Sequence, residues 1–295
     1  MSRRLGVVAV AVLVVVVVVV GLLIGRRTRL QERQETKAAK QMIGPSSPDA
    51  RPWEKPGKKV GEEIVGPDGG MMVWVPAGEF DMGQEACAAP VHHVRISKGF
   101  WLGKYTVTNA QYRRYCQETG AEFAGNSDRG DDHPVVWVNW NDAVAYCKHY
   151  GLDLPTEAQW EYAARGPENR QYPWGNEWDP KKCCSEENRG PGGRTFPVGS
   201  FPEEASWCGA LDMVGNVWQW CKDWYSQRYY TNSPDTDPPG PDTGDSILGI
   251  GRQCRVLRGG SWTNGYYAGC HCAHRLDNVP TNRNEYDGFR CVRTP

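Results

Sequence analysis

Hydrophobic positions along this chain follow two patterns. From Leu5 to Gly25 all 21 residues are apolar, mostly valine, with no charge and no proline. A run of about 20 such residues matches the thickness of a bilayer's hydrocarbon core, where a helix satisfies its own backbone. No small-x-small cleavage site follows, only "GRRTRLQERQE", so residues 1–25 are expected to be an uncleaved transmembrane anchor. Arginines flank the run on both sides, so the positive-inside rule leaves the orientation open. Residues 26–69 are charged and polar around "GPSSPDARPWEKPGKK" and read as a flexible tether.

Beyond Gly70 the periodicity is short and often interrupted. "TNAQYRRYCQETG" opens with Thr108 and Gln111 in capping-box spacing and stops at Gly120, which predicts a helix. "NWNDAVAYCKHYG" predicts a second helix from near Asn139 to Gly151, with Ala143, Val144 and Cys147 on one face. "PTEAQWEYAARG" predicts a third, boxed by Thr156 and Gln159 and ended by Gly166. Met71–Val75, Val91–Ile96 and Arg255–Leu257 read as strands. Short helices, short strands and long Gly/Pro-rich loops make residues 70–295 one α+β domain. In so loop-rich a domain the thirteen tryptophans, Trp101, Trp137, Trp160 and Trp174 among them, are expected to supply buried area and N–H donors to loop carbonyls.

Charge and cysteine narrow the function. The first 50 residues carry eight Lys or Arg against three Asp or Glu, and the remainder 26 against 32. A net-acidic domain excludes nucleic acid as a general partner, and the basic flank of the anchor suits anionic headgroups. All eleven cysteines lie beyond residue 86, a density expected of an oxidising compartment, which would place the domain outside the cytoplasm. No nucleophile–base–acid arrangement or phosphate-binding glycine loop is evident, so neither a hydrolase nor a kinase is indicated.

In order and spacing, "GGMMVWVPAGEFDMG", "GKYTVTNAQY", "HPVVWVNWNDAVAYC", "LPTEAQWEYAARG", "YPWGNEW", "FPVGSF", "DMVGNVWQW", "LRGGSW" and "DGFRCV" resemble the formylglycine-generating enzyme family, the sulfatase-modifying factor domain. The likeness runs from about Gly70 to Val292 and implies a fold similar to C-type lectins. It implies for the family's active branch the oxidation of a sulfatase cysteine to formylglycine, using oxygen and a copper(I) ion. Two cysteines five positions apart after the Gly-Gly-Ser motif hold that ion, because copper(I) favours soft thiolates and few ligands. Here those positions fall on Asn264 and Gly269, with Cys270 one residue beyond. An amide oxygen cannot replace a thiolate, so copper and the oxidase activity are not expected.

Other candidates follow. If residues 270–274 are extended, Cys270, Cys272 and His274 share one face and form a soft set for copper(I) or zinc; otherwise the cysteines are structural. With Ser261, these two cysteines are also the candidate catalytic groups of an alternative reading, an oxidase with rearranged copper ligands. The resemblance implies a disulfide between Cys147 and Cys291. It also implies calcium at Asn188 and Arg189, and at Val214, Asn216 and Gln219, where Gln219 replaces the family's glutamate and weakens the site. The reading preferred here is a membrane-anchored binding or accessory domain. Its groove for a protein or peptide ligand would be floored by Trp220, Ser261, Asn264, Tyr266, Tyr267, Cys270, His271, His274 and Arg275. A structural component of an envelope complex is a further alternative.

Overall fold

Three capping boxes set the helices. In the computed structural model, which describes residues 51–123, 129–245, 252–265 and 269–295, Thr108 caps α1 (Asn109–Thr119), Asn139 caps α2 (Trp140–His149) and Thr156 caps α3 (Glu157–Arg165). In each, the cap side chain accepts from the third helical N–H while that residue's side chain accepts from the cap N–H. Gly120 closes α1 at φ 75°, a left-handed conformation that costs glycine nothing. Cys147 and Ala143 of α2 are buried as the spacing requires, with Val144 at the edge of that face.

The strands are short and form three sheets. Strands β1 (Glu63–Val65), β2 (Met71–Val75), β5 (Phe100–Gly103) and β10 (Val292–Arg293) pair antiparallel in the order β1-β2-β5-β10. A hairpin joins β3 (Gly78–Gln84) to β4 (Ala88–Ile96), which begins before the expected Val91. The third sheet orders β8 (Arg275–Asn278), β7 (Arg255–Arg258), β6 (Trp218–Trp224) and β9 (Asp287–Gly288), with β6 and β9 parallel. The mixture of helix and strand is the α+β content that the sequence implies.

Residues 51–69 correct the expected tether boundary. β1 lies within that stretch and pairs with β2, and the indole N–H of Trp101 donates to the Lys55 carbonyl at 2.9 Å. The edge of β2 needs a hydrogen-bonding neighbour and finds it upstream, in residues that composition alone marked as polar linker. The anchor expected at residues 1–25 and the first part of the tether lie outside the described residues. Among those described, no helix is long and apolar enough to cross a membrane.

Tryptophan performs much of the loop fixation. Trp101, Trp160 and Trp220 are fully buried, and their N–H groups donate to Lys55 O, Gln219 Oε1 and Val138 O. Trp137 departs from expectation: it is 40% exposed and sits at φ 62°. Trp174 is half-buried and caps its own turn through Glu177 O.

The start of the short β9 holds a fully buried carboxyl. Asp287 Oδ2 accepts from the amides of Asn278 (3.0 Å) and Asn284 (2.7 Å), while Oδ1 has no hydrogen-bond partner among the described residues. Burial pushes Asp287 up to about 7 against the two amide bonds, so the folded chain keeps its proton where the unfolded chain has lost it. The sign follows from linkage: between about pH 4 and about pH 7 the unfolded state binds fewer protons, and stability falls as pH rises. Asp287→Asn keeps the shape without a titrating proton. Denaturant unfolding at a series of pH values should show the variant gaining on the parent between those limits, with a constant difference above.

Candidate functional site

Glu157, Glu161 and Arg165 recur every fourth residue along α3 and present one charged line to the interior. Facing them are Arg258, which ends β7 and is completely buried, and Arg275, which begins β8. Arg258 donates to Glu157 Oε1 at 3.1 Å and to Glu161 Oε2, and Arg275 grips both oxygens of Glu157 at 2.6 and 2.8 Å. Arg165 donates to Glu161 Oε1 at 2.8 Å and to the Gly83 carbonyl at 2.5 Å, joining the hairpin to the network. Burial opposes ionisation of Glu157, yet the guanidinium groups of Arg275 and Arg258 outweigh it and hold the carboxyl below its ordinary value.

The remaining donors of Arg258 shape the candidate segment. They reach the carbonyls of Cys272 (2.8 Å) and Ala273 (3.1 Å), which must therefore face the same cation. An extended chain points successive carbonyls to opposite sides, so residues 271–274 turn instead, closed by His274 N–H to His271 O at 3.2 Å. The expected single face of Cys270, Cys272 and His274 is thereby corrected. Both sulfurs lie fully buried in the core, where desolvation pushes their thiols well above the ordinary value. A thiol kept protonated is a poor nucleophile, and one sealed in the core gives an ion no path by which to displace that proton.

The copper positions implied by the resemblance are filled by other bonds. Asn264 turns its amide oxygen inward, accepting from Ser261 N (3.1 Å) and Ser261 Oγ (2.8 Å). Cys270 Sγ points to the Asn264 carbonyl at 3.2 Å. Gly269 sits at φ 120°, where a side chain is strained. These residues do not fit a two-thiolate copper(I) ion.

The calcium positions are likewise engaged. Gln219 is fully buried, and its amide oxygen accepts from Trp160 Nε1 (2.8 Å) and Arg290 Nε (2.6 Å), which uses both lone pairs. Asn216 exchanges both amide groups with Phe196, and Asn188 donates to Cys183 O. Arg189 stacks over Trp262 at 5.6 Å, and Val214 is buried in the core. Gln219 thus has no free side-chain oxygen. Cys147 and Cys291 do meet, with sulfurs 3.5 Å apart, in contact and not bonded.

Of the proposed groove floor, Trp220, Ser261, Cys270 and Arg275 are buried and held by the interior, so they present no ligand surface. Tyr266 and Tyr267 lie outside the described residues. Asn264, His271 and His274 remain partly accessible. The turn brings the last two together, ring centroids 5.3 Å apart and nearly perpendicular. Burial, then the neighbouring His274 and Arg258, pulls His271 down to about 4, so its imidazole is neutral over the physiological range. The sequence reading missed a third group beside them, Cys87 from the turn between β3 and β4. The i,i+3 spacing of the histidines was available as a signal once a turn is assumed; nothing local points to Cys87.

Comparison with known proteins agrees with this architecture. Residues 60–295 match the Sulfatase-modifying factor enzyme 1-like domain. The formylglycine-generating enzyme of Streptomyces coelicolor is 35% identical over 287 residues, covering 75% of this chain and 88% of that protein. The inactive C-alpha-formylglycine-generating enzyme 2 of Bos taurus is 30% identical over 286 residues, covering 75% and 87%. The solved structure of PvdO from Pseudomonas aeruginosa superposes with a TM-score of 0.65 at 27% identity, covering 81% of this chain and all of that one.

The network sets a stability test. Arg258→Met removes the cation shared by Glu157 and Glu161 and leaves the carbonyls of Cys272 and Ala273 without a donor. Breaking a buried pair from one side costs roughly 3–5 kcal/mol. Urea unfolding of the full chain in detergent should show a loss of that order, against less than about 1 kcal/mol for removing an exposed pair such as Lys222–Asp153.

Proposed function

The chain belongs to the sulfatase-modifying factor enzyme 1-like family, and from that premise we propose that it acts as a binding or accessory domain without the two-thiol copper chemistry. Asn264 carries this reading. Its amide occupies the position of the first copper thiolate and is committed to Ser261, while the nearest sulfur, Cys270, is committed to the Asn264 carbonyl. With the cation-binding atoms tied up internally, the family scaffold is left to present a surface. Among the described residues of this segment, Asn264, His271 and His274 are partly accessible polar groups, and side chains of this kind suit a protein or peptide ligand. Relatives bearing both active and inactive names are consistent with a scaffold that outlives its chemistry.

The competing oxidase needs Cys270 and Cys272 to converge as thiolates. Both are sealed in the core, Cys272 in a turn whose carbonyl is bound to Arg258. The reading is tested by incubating the reduced full-length chain, supplied with copper(I), with an unfolded peptide carrying a sulfatase-type cysteine. No aldehyde above the rate of free copper(I) is expected. Turnover at an enzymatic rate would overturn the proposal.

A further inference from the structure

Cys87, His271 and His274 offer three ligand atoms that all lie within 4.8 Å of one another. We propose that these three side chains form a binding site for a divalent transition-metal ion of the zinc class, with one coordination position left open. The proposal goes beyond the binding-domain reading: it shares His271 and His274 with the surface proposed there, but it is tested by metal binding, whose failure is distinct from aldehyde formation by the copper-supplied chain.

The donor set is chemically suited. A thiolate and two imidazoles are the borderline-soft ligands zinc takes, at about 2.3 Å for sulfur and about 2.0–2.1 Å for nitrogen. Around one tetrahedral ion such donors stand roughly 3.3–3.6 Å apart, so a cluster within 4.8 Å closes by at most about 1.5 Å, within reach of side-chain rotation. Three protein ligands with a free fourth position is the pattern of a site that binds something further. The Gln84 amide oxygen lies 3.9 Å from Cys87 Sγ.

A second observation points the same way. His271 Nδ1 is buried without a hydrogen-bond partner among the described residues, a state that costs energy and that coordination would relieve. The scaffold is also built for rigidity. Arg258 fixes the Cys272 and Ala273 carbonyls between the two histidines, and Arg165 ties the Gly83 carbonyl of the Cys87 hairpin to the same carboxylate, Glu161. Ligands supported in this way by an outer ring of bonds are pre-oriented for an ion. Two turns distant in sequence are thus held against one another by one buried network.

Cobalt(II) provides the test, because it reports its ligands by absorption. The full-length chain, reduced, stripped of metal and kept in detergent, is titrated with cobalt(II). One equivalent should give a thiolate-to-cobalt charge-transfer band and the visible bands of a tetrahedral ion, and zinc should abolish both. Cys87→Ser should lose the charge-transfer band, and His271→Asn should weaken binding while keeping the thiol; circular dichroism confirms that each is folded. On the unaltered chain, zinc should protect Cys87 from alkylation. Absence of stoichiometric cobalt, an unchanged band in folded Cys87→Ser, or equal alkylation of Cys87 with and without zinc would each overturn the proposal.

Discussion

A guanidinium sealed from water at Arg258 is the constraint on which this domain turns. Its desolvation is tolerable only if carboxylates and carbonyls converge on it, and α3 and the 271–274 turn are placed to meet that demand. The consequence for chemistry is direct. Binding two successive carbonyls bends the segment, sends the sulfurs of Cys270 and Cys272 into the core and leaves the imidazoles of His271 and His274 beside Cys87. A second buried guanidinium, Arg290, plays a matching part, binding the carbonyls of Gly103, Lys104, Leu211 and Asp212.

The parts legible from sequence are those fixed by local chemistry. Capping boxes at Thr108 and Thr156 and the stops at Gly120 and Gly166 appear where motif and spacing put them. The parts that were not legible depend on partners distant in the chain. β1 looked like polar linker because its stability comes from pairing with β2. The 270–274 stretch looked extended because alternation is the simplest pattern for "CHCAH", and only Arg258, twelve residues upstream of Cys270, reverses it. Cys87 carried no signal, being brought to the histidines by a hairpin whose docking depends on Arg165 and Glu161.

Asn264, Gly269 and Gln219 stand where the family resemblance implies cation ligands. Asn264 replaces a soft sulfur with a hard oxygen and then spends that oxygen on Ser261. Gln219 loses a charge and hands its oxygen to Trp160 and Arg290. In both places the side-chain oxygen finds its hydrogen-bond donors within the protein.

The inward commitment of the two C-terminal sulfurs is the point most open to direct measurement. Brief alkylation of the reduced, folded, metal-free chain with a small reagent, followed by peptide mass mapping, reads which thiols reach solvent. If the Arg258 network bends the segment as described, Cys87 is labelled well before Cys270 and Cys272. Labelling of Cys270 or Cys272 as fast as Cys87 would contradict it.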